Sequence, residues 1–174
     1  IWTTGGFSEQ YAYDKAGNCI RITDGEGNVS RLTYDGMNNI LSITDGNGDK
    51  VSYQYDYNGN EVSETNAEGI TVTKAYDSEG NKISETDGEG NITRYEYDGI
   101  GRLTKETDPI GGETTYEYDG RSENLVKQTG ADGTSTFTYD ANGNVLTETD
   151  GNGAVTENKY DVRGRLIGVT ESTG

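Results

Sequence analysis

A Tyr-Asp pair recurs along this chain at a constant interval of 21 residues, and no insertion or deletion interrupts it. The eight pairs are Tyr13-Asp14, Tyr34-Asp35, Tyr55-Asp56, Tyr76-Asp77, Tyr97-Asp98, Tyr118-Asp119, Tyr139-Asp140 and Tyr160-Asp161. A fixed period of this length is typical of repeat architectures, in which each unit packs against its neighbours. The interval therefore predicts a single tandem array of about eight equivalent units over residues 1–174.

Two turn signals of the form Asp-x-x-Gly recur within the repeats. This pattern is typical of a type I turn, because the carboxylate accepts an N–H two residues on and Gly adopts the left-handed conformation that follows. The predicted turn glycines are Gly17, Gly27, Gly48, Gly59, Gly69, Gly80, Gly90, Gly101, Gly111, Gly143, Gly153 and Gly164. Successive turns lie 10 or 11 residues apart. They leave segments of about 5 or 6 residues, the usual length of a strand.

The segments between the turns have the alternation of strands. Aromatic residues stand two positions apart before the pair, as with Tyr53 and Tyr55, and therefore share one face. No window repeats apolar residues at helical spacing. The sequence predicts an all-β fold in which 21-residue β-hairpins form a long antiparallel meander of about 16 strands. Because strands twist, such a sheet is expected to coil into a spiral, a shell wall or a solenoid.

The composition limits the partners of such an array. Only 28 of the 174 residues are Leu, Ile, Val or Phe, and the formal net charge is −17, values that usually mark disorder. The strict period and the 13 Tyr oppose disorder, since Tyr suits a half-buried sheet surface. The negative charge disfavours nucleic acid as a partner. No apolar run approaches the roughly 18 residues of a membrane helix, so no membrane insertion is predicted. Other repeats of the same or a neighbouring chain are the expected partners.

Catalysis is not predicted. The chain has no His, which removes most acid-base, triad and zinc arrangements. Carboxylates are plentiful, but they recur in every repeat, whereas a glycosidase dyad is a unique pair. Cys19 is the only thiol, and aliphatic residues fill its strand position in other repeats, which favours partial burial.

The stripe of tyrosine rings has two interpretations. Aromatic faces stack on sugar rings, so an exposed stripe would be a platform for cell-surface glycans. The preferred interpretation is that the rings are the core, because a chain so poor in aliphatic residues has no other source of apolar area.

Some turn carboxylates are candidate calcium ligands, because calcium takes oxygens from flexible carboxylates and carbonyls. They are Asp24, Asp45, Asp49, Asp87 and Asp150. The segments 24–28 and 45–49 resemble loose calcium loops. An EF-hand, however, requires Gly at its sixth position and Glu at its twelfth, where the second segment has Lys50 and Asp56. An Asx-turn explains each Asp without a metal. No cofactor is therefore predicted, and calcium is the weaker alternative.

One stretch departs from the pattern. In residues 118–124 the turn glycine is replaced by Ser122, and Asp132-Gly133 shifts the following turn by one residue, while the overall length is kept. Local drift is the preferred explanation, and a bulge or a contact with a partner is the alternative.

These motifs resemble the RHS/YD repeats over essentially the whole chain. The pattern of that family runs Tyr-x-Tyr-Asp-x-x-Gly-Arg-Leu, then a short strand, then Asp-Pro-x-Gly. Residues 95–103 reproduce the first part, and residues 107–112 reproduce the second. Residues 163–166, Arg-Gly-Arg-Leu, are a second close copy of the Gly-Arg-Leu segment. Elsewhere Asn replaces the Arg, at Asn18, Asn60, Asn81 and Asn144.

The resemblance implies a large secreted or cell-surface protein, usually bacterial, of which this chain, starting in mid-repeat, is a segment. In toxin members of the family the repeats wind into a hollow β-shell that encloses a toxic C-terminal domain. Other members serve at cell surfaces, with carbohydrate binding proposed. Two functions are therefore open: a segment of a toxin-enclosing shell, or a surface fibre or adhesin that binds cells or carbohydrate. The uniform spacing suits an open spiral or fibre as readily as a closed shell.

Overall fold

The computed structural model describes residues 9–120 and 122–173. It divides into two compact units, Ile1–Asn91 and Ile92–Gly174. Within each unit, eight strands that follow one another in the chain are also neighbours in an antiparallel sheet. Among the described residues, no helix has the length and apolar character needed to cross a membrane.

The first unit contains the strands that precede and follow the first four Tyr-Asp pairs. They are β1 (Gln10–Tyr13), β2 (Cys19–Thr23), β3 (Val29–Tyr34), β4 (Ile40–Thr44), β5 (Lys50–Tyr55), β6 (Glu61–Thr65), β7 (Thr71–Tyr76) and β8 (Lys82–Thr86). The tyrosine of each pair is the last residue of an odd-numbered strand, and its aspartate opens the turn.

The second unit repeats this arrangement. Its strands are β9 (Ile92–Tyr97), β10 (Leu103–Thr107), β11 (Glu113–Tyr118), β12 (Leu125–Gly130), β13 (Gly133–Tyr139), β14 (Val145–Thr149), β15 (Val155–Tyr160) and β16 (Leu166–Ser172). The predicted all-β antiparallel meander of hairpin repeats is confirmed. The assignment of residues 1–174 to a single array stays a prediction.

Two kinds of hairpin alternate along each unit. We call the turns that begin at the Asp of a Tyr-Asp pair the Tyr-Asp turns, and those at the opposite ends of the strands the second turns. Each Tyr-Asp hairpin contains a register shift at the tyrosine: Tyr34 pairs with Ile40, whereas Thr33 pairs with Ser42. Leu41 is thus an extra residue, which forms a β-bulge. Hairpins closed by second turns have no register shift, as between β4 and β5.

The bulge recurs in all eight Tyr-Asp hairpins and always on the strand after the turn. The extra residues are Ile20, Leu41, Val62, Ile83, Thr104, Val126, Leu146 and Ile167. Seven of the eight are aliphatic, and several are partly exposed, such as Ile83 at 40%. The turn and strand signals of a single repeat do not predict this bulge.

Neither unit has a closed apolar core. No apolar side chain is buried among the described residues, and the only buried residues there are Ser42 and Ser63. The tyrosines of the pairs lie half-buried from Tyr34 onward, while Tyr13 is 60% exposed. The interpretation of the rings as a core is therefore wrong, because each unit is one layer of sheet without a second layer to cover them. The rings lie instead along one face of each sheet, because the register places them at equivalent strand positions.

The Tyr-Asp turns as candidate functional site

The tyrosine hydroxyl of the pair ties adjacent strands together. The hydroxyls of Tyr34, Tyr55, Tyr76, Tyr118, Tyr139 and Tyr160 donate to the backbone oxygens of Cys19, Ile40, Glu61, Leu103, Leu125 and Val145 at 2.6 to 3.0 Å. Each acceptor is the first residue of the preceding strand, immediately before the bulge. The hydroxyl therefore satisfies a carbonyl group beside the point where the ladder is interrupted.

The aspartate of the pair organises the turn that follows. In the turn at Asp56, Oδ1 accepts the N–H groups of Asn58 and Asn60 at 2.8 and 2.9 Å. The same two bonds occur in the Tyr-Asp turns at Asp14, Asp35, Asp77, Asp98, Asp140 and Asp161. The carboxylate thus supplies acceptors for N–H groups that the reversed chain leaves outside the ladder.

The fifth residue of the turn completes the cap. Its side chain donates to Oδ2 of the aspartate, as Asn60 Nδ2 does to Asp56 at 2.9 Å and Arg102 Nε does to Asp98 at 2.7 Å. Asn and Arg therefore serve the same purpose at this position, which explains why Asn replaces the Arg of the resembled pattern.

Some fifth residues also reach the next turn. Arg102 Nη1 donates to the backbone oxygens of Gly120 and Ser122 at 3.0 and 2.5 Å, and its guanidinium lies 4.7 Å from the Tyr118 ring centroid. In the first unit Asn18 Nδ2 donates to Asn38 Oδ1 at 2.8 Å. Successive Tyr-Asp turns are thus linked by side chains.

These hydrogen bonds lower the pKa of the carboxylates. The hydrogen bond from the Asn60 side chain is the largest cause of the lowered pKa of Asp56. For Asp98, partial desolvation opposes the change, but the hydrogen bonds and charge of Arg102 still hold the pKa below its ordinary value of 3.8. The pKa is lowered in Asp14, Asp24, Asp35, Asp56, Asp77, Asp87, Asp98, Asp140 and Asp161. All nine have Asn or Arg as the fifth residue of the turn.

The twelve glycines named from the sequence all have a positive φ, between 74° and 96°. Each lies at the fourth turn position, where its N–H donates to the aspartate or Asn66 carbonyl. Asn38 occupies this position in the turn at Asp35 with a φ of 67°, which Asn tolerates better than other residues with a side chain.

Second turns pack directly against one another. A Cβ added to Gly46 would lie 2.9 Å from the Asn28 Cβ, and one added to Gly88 would meet the Ile70 side chain. In Tyr-Asp turns the same position is open, because nothing lies within 4 Å of such a Cβ on Gly36 or Gly99. A side chain at Gly46 or Gly88 would therefore require the neighbouring turn to move, whereas one at Gly36 or Gly99 has room.

In the irregular stretch, residues 118–133, one turn is longer than in the other repeats and the next turn is shorter. The turn at Asp119 is one residue longer than the others, with Asp119 N–H donating to the Asn124 carbonyl at 3.0 Å; its Arg121 lies outside the described residues. The second turn that follows is reduced to two residues between the paired Gly130 and Gly133. A polar cleft of about 440 Å³ opens beside it, lined by residues that include Gln128 and Asp150.

The candidate calcium ligands do not come together. Oδ1 of Asp24 accepts two backbone N–H groups at 2.9 Å, and Asp45, Asp87 and Asp150 accept equivalent pairs. Within residues 9–120 and 122–173, no group of three or more His, Cys, Asp or Glu residues is placed to hold a metal, and Asp49 belongs to no such group. Cys19 is half-buried, with Sγ 3.5 Å from the Arg21 carbonyl oxygen.

Sequence reasoning missed three features of the site: the acceptor of the tyrosine hydroxyl, the fifth residue as partner of the carboxylate, and the bulge. The recurrence of Asn four residues after Asp was a signal for the second of these. The first and third depend on the neighbouring strand, which one repeat alone does not reveal.

Comparisons with known proteins agree with this geometry. The family model for the RHS repeat matches residues 13–50, 38–71, 55–92, 76–109, 97–123, 124–155 and 139–174. A search of curated proteins found no significant sequence match.

Among solved structures, the chain is similar to the Photorhabdus luminescens Tc holotoxin pore with the TccC3 D651A mutation. The TM-score is 0.59 at 21% identity, over 94% of this chain and 11% of that one. A TcdB2-TccC3-Cdc42 crystal structure is matched with a TM-score of 0.46 at 16% identity, over 97% of this chain and 14% of that one. The chain thus spans only a small part of these structures, and at such identities the first likeness shows the fold. Because the family model covers nearly the whole array in overlapping copies, this chain belongs to the RHS repeat family.

Proposed function

We propose that this chain is a non-catalytic scaffold of a large secreted protein and forms part of a β-shell that encloses a toxin domain. Membership of the RHS repeat family supports the scaffold role. The shell and its cargo are extended from toxin members of that family, and the likeness to a Tc holotoxin chain is in keeping with them.

The observation that carries the scaffold role is that the repeats use their distinctive residues on themselves. The Tyr55 hydroxyl is bound by a backbone carbonyl, and the Asp56 carboxylate by two N–H groups and the Asn60 side chain. A carboxylate that its own turn holds in this way, as at Asp14, Asp35, Asp56, Asp77, Asp98, Asp140 and Asp161, stabilises the array. It is not placed to take part in the chemistry of a substrate.

Electron microscopy of the native full-length protein tests the shell. We expect closed hollow particles with density inside, and limited proteolysis that spares the enclosed domain until the particle is opened. Filaments with an axial repeat would instead support the surface fibre or adhesin, and would overturn the shell.

A further inference from the structure

Three basic side chains lie on the face of the first unit that is turned away from the Tyr-Asp tyrosines, which we call the reverse face. Arg31 and Tyr34 are three positions apart in β3 and therefore project to opposite faces. The pairing of the strands places Arg21 and Lys50 on the same face as Arg31. The glutamates of strands β1 to β8 all lie on the tyrosine face, namely Glu61, Glu64 and Glu85. The reverse face is thus basic, although the net charge of the chain is −17.

Two of these cations face each other. Arg21 is directly opposite Arg31 on the neighbouring strand, where Cβ atoms are about 5 Å apart and like charges destabilise the pairing. Both residues are exposed, and neither side chain is in a hydrogen bond or an ion pair with another described residue. Lys50 lies in the same row of opposite residues, two strands further on, and its exposed side chain is unpaired within the described ranges as well. The described part of the chain therefore supplies no counter-charge to this row.

The second unit shows how a cation at the equivalent position is neutralised. Lys105 lies four repeats after Arg21. Its Nζ atom is 3.8 Å from the directly opposite Glu96 and 2.5 Å from Glu113 on the other neighbouring strand. Lys105 thus lies between two carboxylates, whereas Arg21 has Arg31 opposite. The comparison indicates that the reverse face of the first unit is suited to an anion from outside the chain.

A small hollow lies on the reverse face beside Arg21. Its volume is about 80 Å³, and it is lined by Gln10, Tyr11, Ala12, Arg21 and Thr23. Ala12 is directly opposite Arg21, so its short side chain leaves this space open. Gln10 and Thr23 are directly opposite each other and offer an amide N–H and a hydroxyl that no other described residue binds. The volume is that of roughly two or three water molecules, which suits one small ion rather than a sugar ring.

We propose that this hollow binds a tetrahedral oxyanion, the phosphate or sulfate group of a small ligand. The guanidinium groups of Arg21 and Arg31 donate to its oxygens, because several N–H donors in one plane match the geometry of such anions. Gln10 and Thr23 donate from within the hollow, and the charge of Lys50 adds attraction across the reverse face. The net charge of −17 repels an extended polyanion and so favours a small one.

The inference goes beyond the proposed function, because binding is measured on the 174-residue chain whether or not it forms part of a shell. Inorganic phosphate, titrated at constant ionic strength against chloride, should produce saturable shifts in the nuclear magnetic resonance signals of the Arg21 and Arg31 Nε–H groups. Methyl phosphate and methyl sulfate then identify which ester the site prefers. Saturation by either ester supports the proposal, whereas absence of saturable shifts with all three anions would overturn it.

The decisive variant leaves the charge untouched. Ala12→Leu fills the hollow and should weaken phosphate binding at least about fivefold. The matched control is Ala75→Leu, because Ala75 lies three repeats later at the same strand position, is also exposed and has Ser84 opposite instead of an arginine. The control should change the affinity by less than about twofold. Equal effects of the two changes would show that the anion is not held in the hollow and overturn the proposal.

The arginines are tested by removing their charge and by keeping it. Arg21→Gln with Arg31→Gln should weaken binding about tenfold, and Arg21→Lys with Arg31→Lys, which keeps the charge but loses the planar donors, about threefold. The control, Lys15→Gln with Arg163→Gln, removes the same charge from exposed turns and should weaken binding by less than about twofold. Equal losses in the control and the arginine-to-glutamine variant would show attraction by net charge alone and exclude the site. Circular dichroism checks that every variant folds.

Discussion

The two kinds of turn solve the same problem of chain reversal with different contacts. A Tyr-Asp turn is held by side chains: the tyrosine hydroxyl, the aspartate carboxylate and the Asn or Arg that follows. A second turn relies more on close packing, since Gly46 leaves room for the neighbouring Asn28. The difference teaches that the Tyr-Asp turns, which hold seven of the nine carboxylates of lowered pKa, should be the more sensitive to protonation. The second turns with a closely packed glycine should be the more sensitive to added volume.

Acid should produce the largest effect, because nine capping carboxylates act together and seven of them belong to Tyr-Asp turns. Their folded pKa lies below the ordinary value of 3.8, so their contribution to stability is present above that pH. It is lost as the pH falls through the lowered value. Melting temperatures measured between pH 7 and 2 should fall steeply below about pH 4.

Between pH 7 and the isoelectric point near 4.2, weakening repulsion should partly stabilise the chain before that loss begins. Asp56→Asn is a matched control, because Asn66 already caps a second turn through its Oδ1 atom. The variant should reduce the acid sensitivity. A melting temperature unchanged down to pH 2 would contradict the capping role.

Gly151→Ala should have the next largest effect. The added Cβ would meet the backbone carbonyl oxygen of Asp132, which cannot rotate away as a side chain can. We expect a loss of about 2 kcal/mol in the free energy of unfolding, measured by urea titration. Stability equal to that of the parent would show that the second turns move apart freely.

Tyr55→Phe removes the hydrogen bond to the Ile40 carbonyl and leaves the ring. The expected loss is about 1 kcal/mol in the free energy of unfolding. Tyr57 is the control, since it lies in the turn and is 94% exposed; Tyr57→Phe should change nothing measurable. If both variants behaved alike, the strand-linking role of the hydroxyl would be excluded.

Gly36→Ala should have the smallest effect, and of opposite sign. The position is open and its φ is not positive, so Ala fits and reduces the entropy of the unfolded chain. The expected gain is about 0.5 kcal/mol in urea titrations. Gly99→Ala in the second unit should repeat the result, and a loss at both positions would remove the distinction between the two kinds of turn.

The sequence predicted what local chemistry determines. Asp56 and Gly59 specify their turn without help from distant residues, so turns, strand lengths and the meander could be read from one repeat. The acceptor of the Tyr55 hydroxyl could not, because it lies on the preceding strand and depends on register. The prediction that the tyrosine rings form a core was wrong for a related reason. Residue types indicate which side chains can be buried, but not whether a second layer of structure is present to bury them.

The β-bulge in each Tyr-Asp hairpin has a consequence for how the array tolerates changes of length. Side chains alternate between faces, so a single extra residue exchanges the faces of every odd and even position that follows. One bulge per repeat therefore compensates for an odd repeat length. With 21 residues and one bulge, equivalent side chains in successive repeats lie on the same face. Adding or removing whole repeats preserves this parity, whereas a one-residue insertion requires a matching deletion nearby. The lengthened turn at Asp119 and the shortened turn at Ala131 are such a pair. The first shifts the alternation of side chains between the two faces by one residue, and the second restores it within the same repeat.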